Sequence, residues 1–250
     1  MHQTILITGA AQRIGKEIAI FFAKKGWNIV LHFNKSKKNA LLVQKQIHKI
    51  GAKCLIIKAD LSKFSDLKKI FSVSNQKMGV VNCLINCASV FENDNIEKFN
   101  QKKWQAHFDI NLKAPAILSS YFSKQKKIKN GNIINIIDQR IFKLTPYFLS
   151  YTLSKAGLHT LTKVLAMRFA PKIRVNAIAP GPVMRNHRQS KLHFKKQFKN
   201  TLLQKKVEIS DICNSIEFII NNKSTTGHTI PIDSGQSMAW QTPDLIKIKE

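Results

Sequence analysis

The sequence is poor in acidic residues and poor in arginine. It contains 14 Asp and Glu residues against 41 Lys and Arg residues, which gives a formal net charge of +27. Only six of the 41 basic residues are arginines. Proteins that read specific base sequences depend on bidentate arginine contacts. The scarcity of arginine therefore argues against a specific nucleic-acid partner, and a lysine bias of this kind also arises from the composition of a whole genome.

Cysteine and long apolar runs are scarce as well. The four cysteines lack the paired spacing of a metal site, so we predict no bound metal and reduced thiols. No apolar run approaches the roughly 20 residues of a membrane-spanning helix. The chain opens directly on the apolar run 4–8, without the basic and apolar regions of a secretory signal. We expect a cytoplasmic protein without a membrane segment.

The sequence does contain a regular alternation of short apolar runs with amphipathic segments. Its 250 residues, 44% of them hydrophobic, suffice for one domain with a full core. The predicted strands are 3–8, 28–33, 53–58, 80–86, 132–138, 173–178 and 228–232. The predicted helices lie near 14–25, 36–50, 63–77, 101–124, 150–169 and 208–221. This order predicts a single α/β domain over 1–250, a Rossmann-type doubly wound parallel sheet of about seven strands with helices on both faces.

The first strand leads into a glycine-containing turn, where such sheets bind dinucleotides. Gly9 permits a tight turn, and Gly15 permits close packing of the helix that begins near Ile14. The amino end of that helix faces a phosphate group in dinucleotide-binding folds. Arg13 stands where the middle glycine of the usual pattern would be. The turn thus predicts a cofactor site, with an ordinary strand–turn–helix as the alternative.

The second strand indicates which dinucleotide binds. NAD-binding sheets place a carboxylate about 20 residues beyond the glycines, on the ribose hydroxyls. No carboxylate occurs anywhere in 18–59 of this chain. Hydroxyl, amide and ammonium groups follow the strand instead, supplied by Asn34, Lys35 and Ser36. We predict that these groups, with Arg13, hold the ribose phosphate of NADPH, although a solvated basic helix start gives the same pattern.

Two further strand ends contribute candidate cofactor contacts. Asp60 and Leu61 follow the third strand, beside the expected adenine position, where Asp60 alternatively starts the next helix. Asn86 and Ala88 follow the fourth strand, where small residues would let a nicotinamide ribose lie against the backbone. Cys87 between them is interpreted as a small buried residue, because nothing near it in the sequence would lower the pKa of its thiol.

The stretch 138–155 carries the candidate chemistry. Tyr151 and Lys155 lie one helical turn apart, so a helix over 151–169 places them side by side. An ammonium beside a phenol favours the phenolate and brings the phenol pKa toward neutral pH. An acid, Asp138, precedes Tyr151 by 13 positions.

Six segments now stand in a familiar order, namely TGAAQRIG, NCAS, INLKAP with Asn111, YTLSK, RVNAIAPGPV and TGHTIPIDSG. Together they resemble the short-chain dehydrogenase/reductase family over essentially the whole chain. The resemblance implies hydride transfer from a nicotinamide, with Tyr151 as the proton donor. It also implies that Lys155 holds the ribose and that Asn111 belongs to a water relay. By the same matching, the nicotinamide pocket would be shaped by Pro180, Gly181 and Val183.

The departures from the family pattern narrow the substrate class. Asp138 stands where most members carry a Ser that holds the substrate carbonyl, and Ser89 stands where a Gly is common. With Arg13 in the loop and Phe91 after the fourth strand, the chain resembles the pteridine reductase branch, which includes dihydromonapterin and dihydrofolate reductases. That resemblance implies a pterin or folate substrate stacked on Phe91, near Ser89, Asp138 and Tyr151.

The chemistry of a ring C=N bond agrees with an acid at position 138. Its reduction needs a hydride on carbon and a proton near nitrogen, and a partly buried carboxyl with a raised pKa can deliver that proton. Two alternatives remain open. Asp138 has simply lost the Ser function in a degenerate relative, or Arg140 pairs with it and lowers its pKa.

A basic stretch surrounds the final part of the site. No carboxylate occurs in 139–207, whereas Arg and Lys total 15 there. In this family a segment such as 183–206 forms the substrate lid, and Arg188, Lys191, Lys195 and Lys199 fall on one helical stripe. The stripe attracts an anionic substrate tail or an acidic carrier protein, or it is a solvated face.

The alternative functions follow from the same features. A basic lid that docks a carrier suits an NADPH-dependent carbonyl reductase of the 3-oxoacyl-thioester type. A remote alternative is a catalytically idle, basic nucleic-acid-binding protein. The family resemblance also implies a homo-oligomer, usually a tetramer, in which Trp240 either reaches a neighbouring subunit or caps its own core.

Overall fold

The structure is a computed structural model that describes residues 3–186 and 188–240. Seven parallel strands form one sheet in the order β3-β2-β1-β4-β5-β6-β7. Their bounds are Thr4–Ile7 (β1), Asn28–Phe33 (β2), Cys54–Lys58 (β3), Cys83–Asn86 (β4), Gly131–Ile136 (β5), Ile173–Pro180 (β6) and Thr229–Ile232 (β7). The order reverses between β1 and β4, which makes the carboxyl ends of these two strands the switch point of a doubly wound sheet. The predicted fold class is confirmed.

Eight α-helices occur in the described residues. They are Arg13–Lys24 (α1), Lys37–Lys49 (α2), Phe64–Met78 (α3), Gln101–Phe108 (α4), Ala114–Ser123 (α5), Leu149–Phe169 (α6), Lys191–Lys199 (α7) and Ile209–Asn221 (α8). The stretch predicted as a helix near 101–124 is helical throughout Gln101–Ser123, but a π-helical turn at Asp109–Lys113 lies between α4 and α5. Pro115 follows this turn and has no N–H for a regular helical bond, which favours the wider turn.

The sheet is buried on both faces. Ile18 and Phe22 of α1 and Ile216 of α8 belong to the core on one face, and Ile70 of α3 and Phe122 of α5 belong to the core on the other. β-Branched strands with no polar face are stable only when both faces are covered. No helix in the described parts of the chain is long and apolar enough to cross a membrane.

Candidate active site

A cleft of about 1050 Å³ runs along the carboxyl ends of the strands. It extends from Asn34, after β2, past the turn after β1, to Phe194 of α7. The predicted cofactor residues in its walls are Gly9, Arg13, Ile14, Gly15, Asn34, Lys35, Ser36, Leu61, Ala88, Tyr151, Lys155, Pro180, Gly181 and Val183. The predicted substrate residues in its walls are Ser89, Phe91, Asp138 and Tyr151.

The turn after β1 requires its glycines. Gly9 has a φ of 67°, and a Cβ there would lie 2.9 Å from the Cα of Ala88. A Cβ on Gly15 would lie 2.6 Å from the carbonyl oxygen of Gly9. Any side chain at either position would force the turn apart, so these two residues allow β1, β4 and α1 to meet at the cleft.

Two predicted cofactor side chains do not line the cleft. The Asp60 carboxylate accepts hydrogen bonds from the Ser62 backbone N–H at 3.0 Å and the Ser62 hydroxyl at 2.8 Å. These bonds lower the pKa of Asp60 and use its charge to hold the turn before α3. Asn86 is buried, and its amide donates to the side chain of Asn135 in the neighbouring strand at 2.8 Å. Both side chains therefore stabilise the scaffold, which differs from the predicted contacts.

Arg13 connects the glycine turn to the segment after β6. Its φ of 54° explains why a glycine suits this position, since the left-handed region is strained for a residue with a Cβ. Its guanidinium donates to the carbonyl oxygens of Arg185 at 3.1 Å and Met184 at 3.2 Å. In this structure Arg13 thus holds the beginning of the predicted lid, and its part in holding the ribose phosphate stays a prediction.

His32, a buried histidine of β2 that was not predicted as a site residue, also holds this turn. The Nδ1 of His32 accepts from the Gly9 N–H at 3.1 Å, and its Nε2 lies 3.1 Å from the Ala59 carbonyl oxygen. Nδ1 is therefore unprotonated and the Nε2–H donates. Burial lowers the pKa of His32 to about 4. The only sign of this role in the sequence is that a polar residue, His32, stands among the apolar residues of the strand 28–33.

Asp138 and Tyr151 form the polar centre of the cleft. The Tyr151 hydroxyl donates to the Asp138 carboxylate at 2.7 Å, and the Arg140 backbone N–H donates to the other carboxylate oxygen at 2.9 Å. The predicted strand end at residue 138 was too long, because β5 stops at Ile136 and Asp138 instead caps a short 3₁₀ turn. Burial raises the pKa of Asp138. Burial and the Asp138 charge together raise the pKa of Tyr151 well above its usual value.

The ion pair between Asp138 and the Arg140 guanidinium does not form in this structure. The guanidinium donates to the Thr145 hydroxyl at 2.8 Å and lies 4.8 Å from the centre of the Phe148 ring. Arg140 still lowers the pKa of Asp138 through its charge, but burial outweighs this effect. Burial therefore favours the protonated form of Asp138, whereas the Tyr151 hydroxyl and the Arg140 N–H, which both donate to it, favour the carboxylate.

Lys155 lies behind the Tyr151 ring. Its ammonium donates to the Ile136 carbonyl oxygen at 2.8 Å and is 5.8 Å from the centre of that ring. Burial lowers the pKa of Lys155 to about 8. The expectation that Lys155 brings the Tyr151 pKa toward neutral is not met in this arrangement, because burial and Asp138 act on the phenol in the opposite direction.

Asn111 lies in the π-helical turn and is fully buried. Its side-chain oxygen accepts from the Val90 N–H at 2.9 Å, and its amide donates to the Val90 carbonyl at 3.0 Å. The same amide donates to the Ser154 hydroxyl at 3.1 Å. In this structure Asn111 holds the loop after β4 against α6, and its part in a water relay stays a prediction.

Phe91 lies beside Tyr151, but its ring already has an aromatic partner. Phe148 stacks on it with ring centres 4.5 Å apart and an angle of 14°, and Tyr151 meets it edge-on at 4.5 Å. Ser89 in the same loop donates to the Val90 carbonyl oxygen at 3.2 Å. Phe148 was not predicted, since no sequence pattern relates position 148 to position 91.

Residues 3–214 match the protein family described as short chain dehydrogenase. The chain belongs to the short chain dehydrogenase family. As a member of this family it is an oxidoreductase. Two solved structures cover almost the whole of it. FolM Alternative dihydrofolate reductase 1 from Brucella canis, complexed with NADP, is 36% identical with a TM-score of 0.94 and covers 97% of each chain. The Brucella suis protein of that name, in complex with NADP, is 37% identical with a TM-score of 0.93 and covers 97% of this chain and 98% of its own.

Curated proteins similar to this chain carry a different name, 3-oxoacyl-(acyl-carrier-protein) reductase. The 3-oxoacyl-(acyl-carrier-protein) reductase FabG of Staphylococcus epidermidis is 28% identical over 244 residues, which cover 95% of this chain and 100% of the relative. The FabG of Staphylococcus aureus strain Mu50 is 27% identical, over 95% of this chain and 99% of the relative.

The predicted lid segment of this short chain dehydrogenase contacts the loop after β4 through one arginine. Arg188 donates to the Phe91 carbonyl oxygen at 2.5 Å and to the Glu92 carboxylate at 2.9 Å. In α7 the residues that line the cleft are His193, Phe194 and Gln197. At 100° per residue, Lys195 and Lys199 lie on the opposite, exposed side of the helix. These two lysines therefore fit a solvated face.

Proposed function

We propose that this protein is an NADPH-dependent reductase that transfers a hydride to the ring of a pteridine, either a dihydropterin or a dihydrofolate. The observation that carries the proposal is the half-buried Asp138 carboxyl, which lies 2.7 Å from the hydroxyl of Tyr151, whose ring meets the Phe91 ring edge-on. A carboxyl in this position suits protonation of a ring nitrogen, whereas a serine suits polarisation of a carbonyl.

The cofactor site fits a phosphorylated dinucleotide. Asn34, Lys35 and Ser36 line the far end of the cleft, and no carboxylate in 18–59 would repel a ribose phosphate there. The Gly9 turn and the amino end of α1 would hold the central phosphates, and Gly181 would adjoin the nicotinamide. When bound, NADPH supplies the hydride.

The residues of this chain supply the proton. Reduction of a ring C=N bond turns it into a C–N single bond, with the hydride on carbon and a proton on nitrogen. Burial raises the pKa of both Asp138 and Tyr151, so the hydrogen that the two groups share is held more tightly than on the free side chains. Lys155 carries positive charge below its pKa of about 8 and offsets negative charge that remains on the pair after transfer.

The comparisons support the same conclusion. The two FolM proteins are 36% and 37% identical to this chain, whereas the FabG proteins are 28% and 27% identical. A 3-oxoacyl-thioester reductase remains the second candidate because of those FabG relatives. Asp138 does not favour this second candidate, because a carboxylate lacks the hydroxyl with which a serine would hold a ketone.

The direct test is NADPH oxidation measured with dihydromonapterin, dihydrofolate and an acetoacetyl thioester. We expect turnover of at least one pterin and little turnover of the thioester. The Asp138→Ser variant should lose pterin reduction and gain thioester reduction. Turnover of the thioester alone by the unaltered protein would overturn the proposal and favour the second candidate.

We also propose a homo-oligomer in the cytoplasm. The apolar side chains of Val164 and Met167 on α6 are 49% and 74% exposed, which fits burial between subunits. Light scattering after size-exclusion chromatography measures the oligomer, and a monomer at working concentration would contradict it.

A further inference from the structure

Three buried polar side chains form a cluster at the amino end of α6, the helix that contains Tyr151. Asp94 comes from the loop after β4, His107 from α4 and Ser150 from the first turn of α6. Their exposed fractions are 9%, 0% and 0%. Three polar groups buried this far from water must bond to one another or to the backbone to offset the cost of burial.

The hydrogen bonds of the cluster have one consistent direction. The Ser150 hydroxyl donates to the Asp94 carboxylate at 2.5 Å, which leaves the serine oxygen as an acceptor. His107 Nδ1 lies 2.5 Å from that oxygen and is the donor. His107 Nε2 then accepts from the Glu92 backbone N–H at 3.1 Å. His107 is therefore neutral, with its hydrogen on Nδ1.

The same carboxylate closes the amino end of α6. The residue before the helix, Phe148, has a left-handed backbone with φ of 61° and provides no side-chain cap. Asp94 replaces that cap from outside the helix. Its carboxylate accepts from the Ser150 N–H at 3.2 Å, and its backbone carbonyl oxygen accepts from the Leu149 N–H at 3.3 Å. A carboxylate at a helix amino end also complements the helix dipole.

The cluster joins two parts of the active site that the chain separates. Ser150 immediately precedes Tyr151, while Glu92 immediately follows Phe91. We propose that Asp94, His107 and Ser150 act as a positioning clamp, which fixes the hydroxyl of Tyr151 relative to Phe91 and so to the bound substrate ring. The proposal rests on the proposed function, because it assumes that Tyr151 takes part in proton delivery to a ring held near Phe91.

A clamp of this kind acts on rate more than on binding. Proton transfer requires hydrogen-bond distance in the reacting complex, and a misplacement of about 1 Å can cost roughly 100-fold. The clamp touches neither the Gly9 turn nor residues 34–36, so its loss should leave the cofactor site in place. A purely structural cluster would instead lower the folding stability without a selective effect on kcat.

The test compares Ser150→Ala and His107→Leu with the control Ser215→Ala. Ser215 also lies in a helix and donates to a helix carbonyl at 2.7 Å, but it is on the exposed surface of α8. We expect both clamp variants to lower kcat for pterin reduction by roughly 10- to 100-fold, with the KM for NADPH changed by less than about twofold. The control should leave both constants unchanged.

His107→Gln provides the rescue. A glutamine amide can donate to Ser150 and accept from the Glu92 N–H, so kcat should recover to within roughly threefold of the unaltered protein. Equal kcat values for Ser150→Ala, His107→Leu and the unaltered protein would overturn the clamp. A fall in melting temperature with no change in kcat would overturn it as well, because that result describes stability alone.

Hydrogen exchange tests the clamp independently of any substrate. Ser150→Ala should speed exchange of the backbone amides at 90–94 and 149–155, without changing exchange in α8. If no pterin is turned over by the unaltered protein, the proposed function fails, while faster exchange in these two segments still supports the clamp. Unchanged exchange in both segments would overturn the clamp whatever the substrate is.

Discussion

Tyr151 donates its phenolic hydrogen to Asp138 across 2.7 Å, although Asp138 precedes it by 13 positions and a short 3₁₀ turn lies between them. Asp138 follows β5, and Tyr151 lies in the first turn of α6. The hydrogen of the phenol is therefore held by a half-buried carboxyl rather than by a serine hydroxyl. The two groups therefore titrate as a pair, and a change at either one alters the proton affinity of both.

Asp138→Asn should stabilise the protein increasingly as the pH rises. Burial raises the pKa of Asp138 in the folded protein above its value in the unfolded chain. The unaltered protein therefore loses stability as the pH rises through the folded pKa, and the neutral asparagine does not. Urea unfolding at about pH 4 and about pH 8 measures this difference. The exposed Asp211→Asn is the control, and an equal effect of Asp138→Asn at both pH values would refute the prediction.

Lys155→Met should abolish activity and stabilise the protein at neutral pH. Burial lowers the pKa of Lys155 from 10.5 to about 8, which corresponds to a cost of roughly 3 kcal/mol while the ammonium is charged. The lost bond to Ile136 offsets about 1 kcal/mol of the gain. The cost is full below the folded pKa and disappears as the pH rises to the unfolded pKa, so the gain should shrink over that interval.

Urea unfolding at pH values on either side of that interval checks the Lys155 prediction. Lys163→Met, at an exposed position of the same helix, is the matched control and should show no such gain. A Lys155→Met protein that is less stable than the unaltered one at neutral pH would contradict the expected cost of burial.

His32→Gln should make the protein less sensitive to acid. Because burial lowers the pKa of His32 from 6.5 to about 4, the stability it contributes is present above the unfolded pKa and is lost as the pH falls toward the folded pKa. The full loss is roughly 3 kcal/mol. Glutamine can keep both hydrogen bonds without titrating, so its free energy of unfolding should fall less over this interval. Exposed His48→Gln is the control, and identical acid unfolding of His32→Gln and the unaltered protein would count against the prediction.

Phe148→Ala should tighten substrate binding. Phe148 covers a face of Phe91 on which the proposed pterin would stack, and stacked aromatic pairs contribute about 0.5–1.5 kcal/mol. Removal of the competing ring should therefore lower the dissociation constant of a pterin by roughly two- to tenfold, as measured by fluorescence titration. Phe142→Ala, outside the cleft, should have no effect. Weaker binding by Phe148→Ala would indicate that the ring forms part of the binding surface instead.

Periodicity predicted the sheet well because each strand is apolar on both faces, which only a covered parallel sheet accommodates. It predicted the helical stretch 101–124 but not the π-helical turn before Pro115, which depends on one proline rather than on a pattern. Spacing likewise predicted that Tyr151 and Lys155 share a helix face. It did not reveal that the Asp60 and Asn86 side chains bond within the scaffold, because a polar residue at a strand end can point into the scaffold as well as into the cleft, and their cofactor contacts stay predictions.

The sequence by itself determined the family, the doubly wound parallel sheet, and the presence of an acid 13 positions before the tyrosine. These properties depend on local composition and on intervals along one chain. Only the tertiary structure decided in which direction the pKa values at the site are shifted. Burial, which comes from distant segments packing together, raises the pKa of Asp138 and lowers that of Lys155. The packing of distant segments also brought Asp94, His107 and Ser150 into contact next to Tyr151. No interval in the sequence relates those three residues.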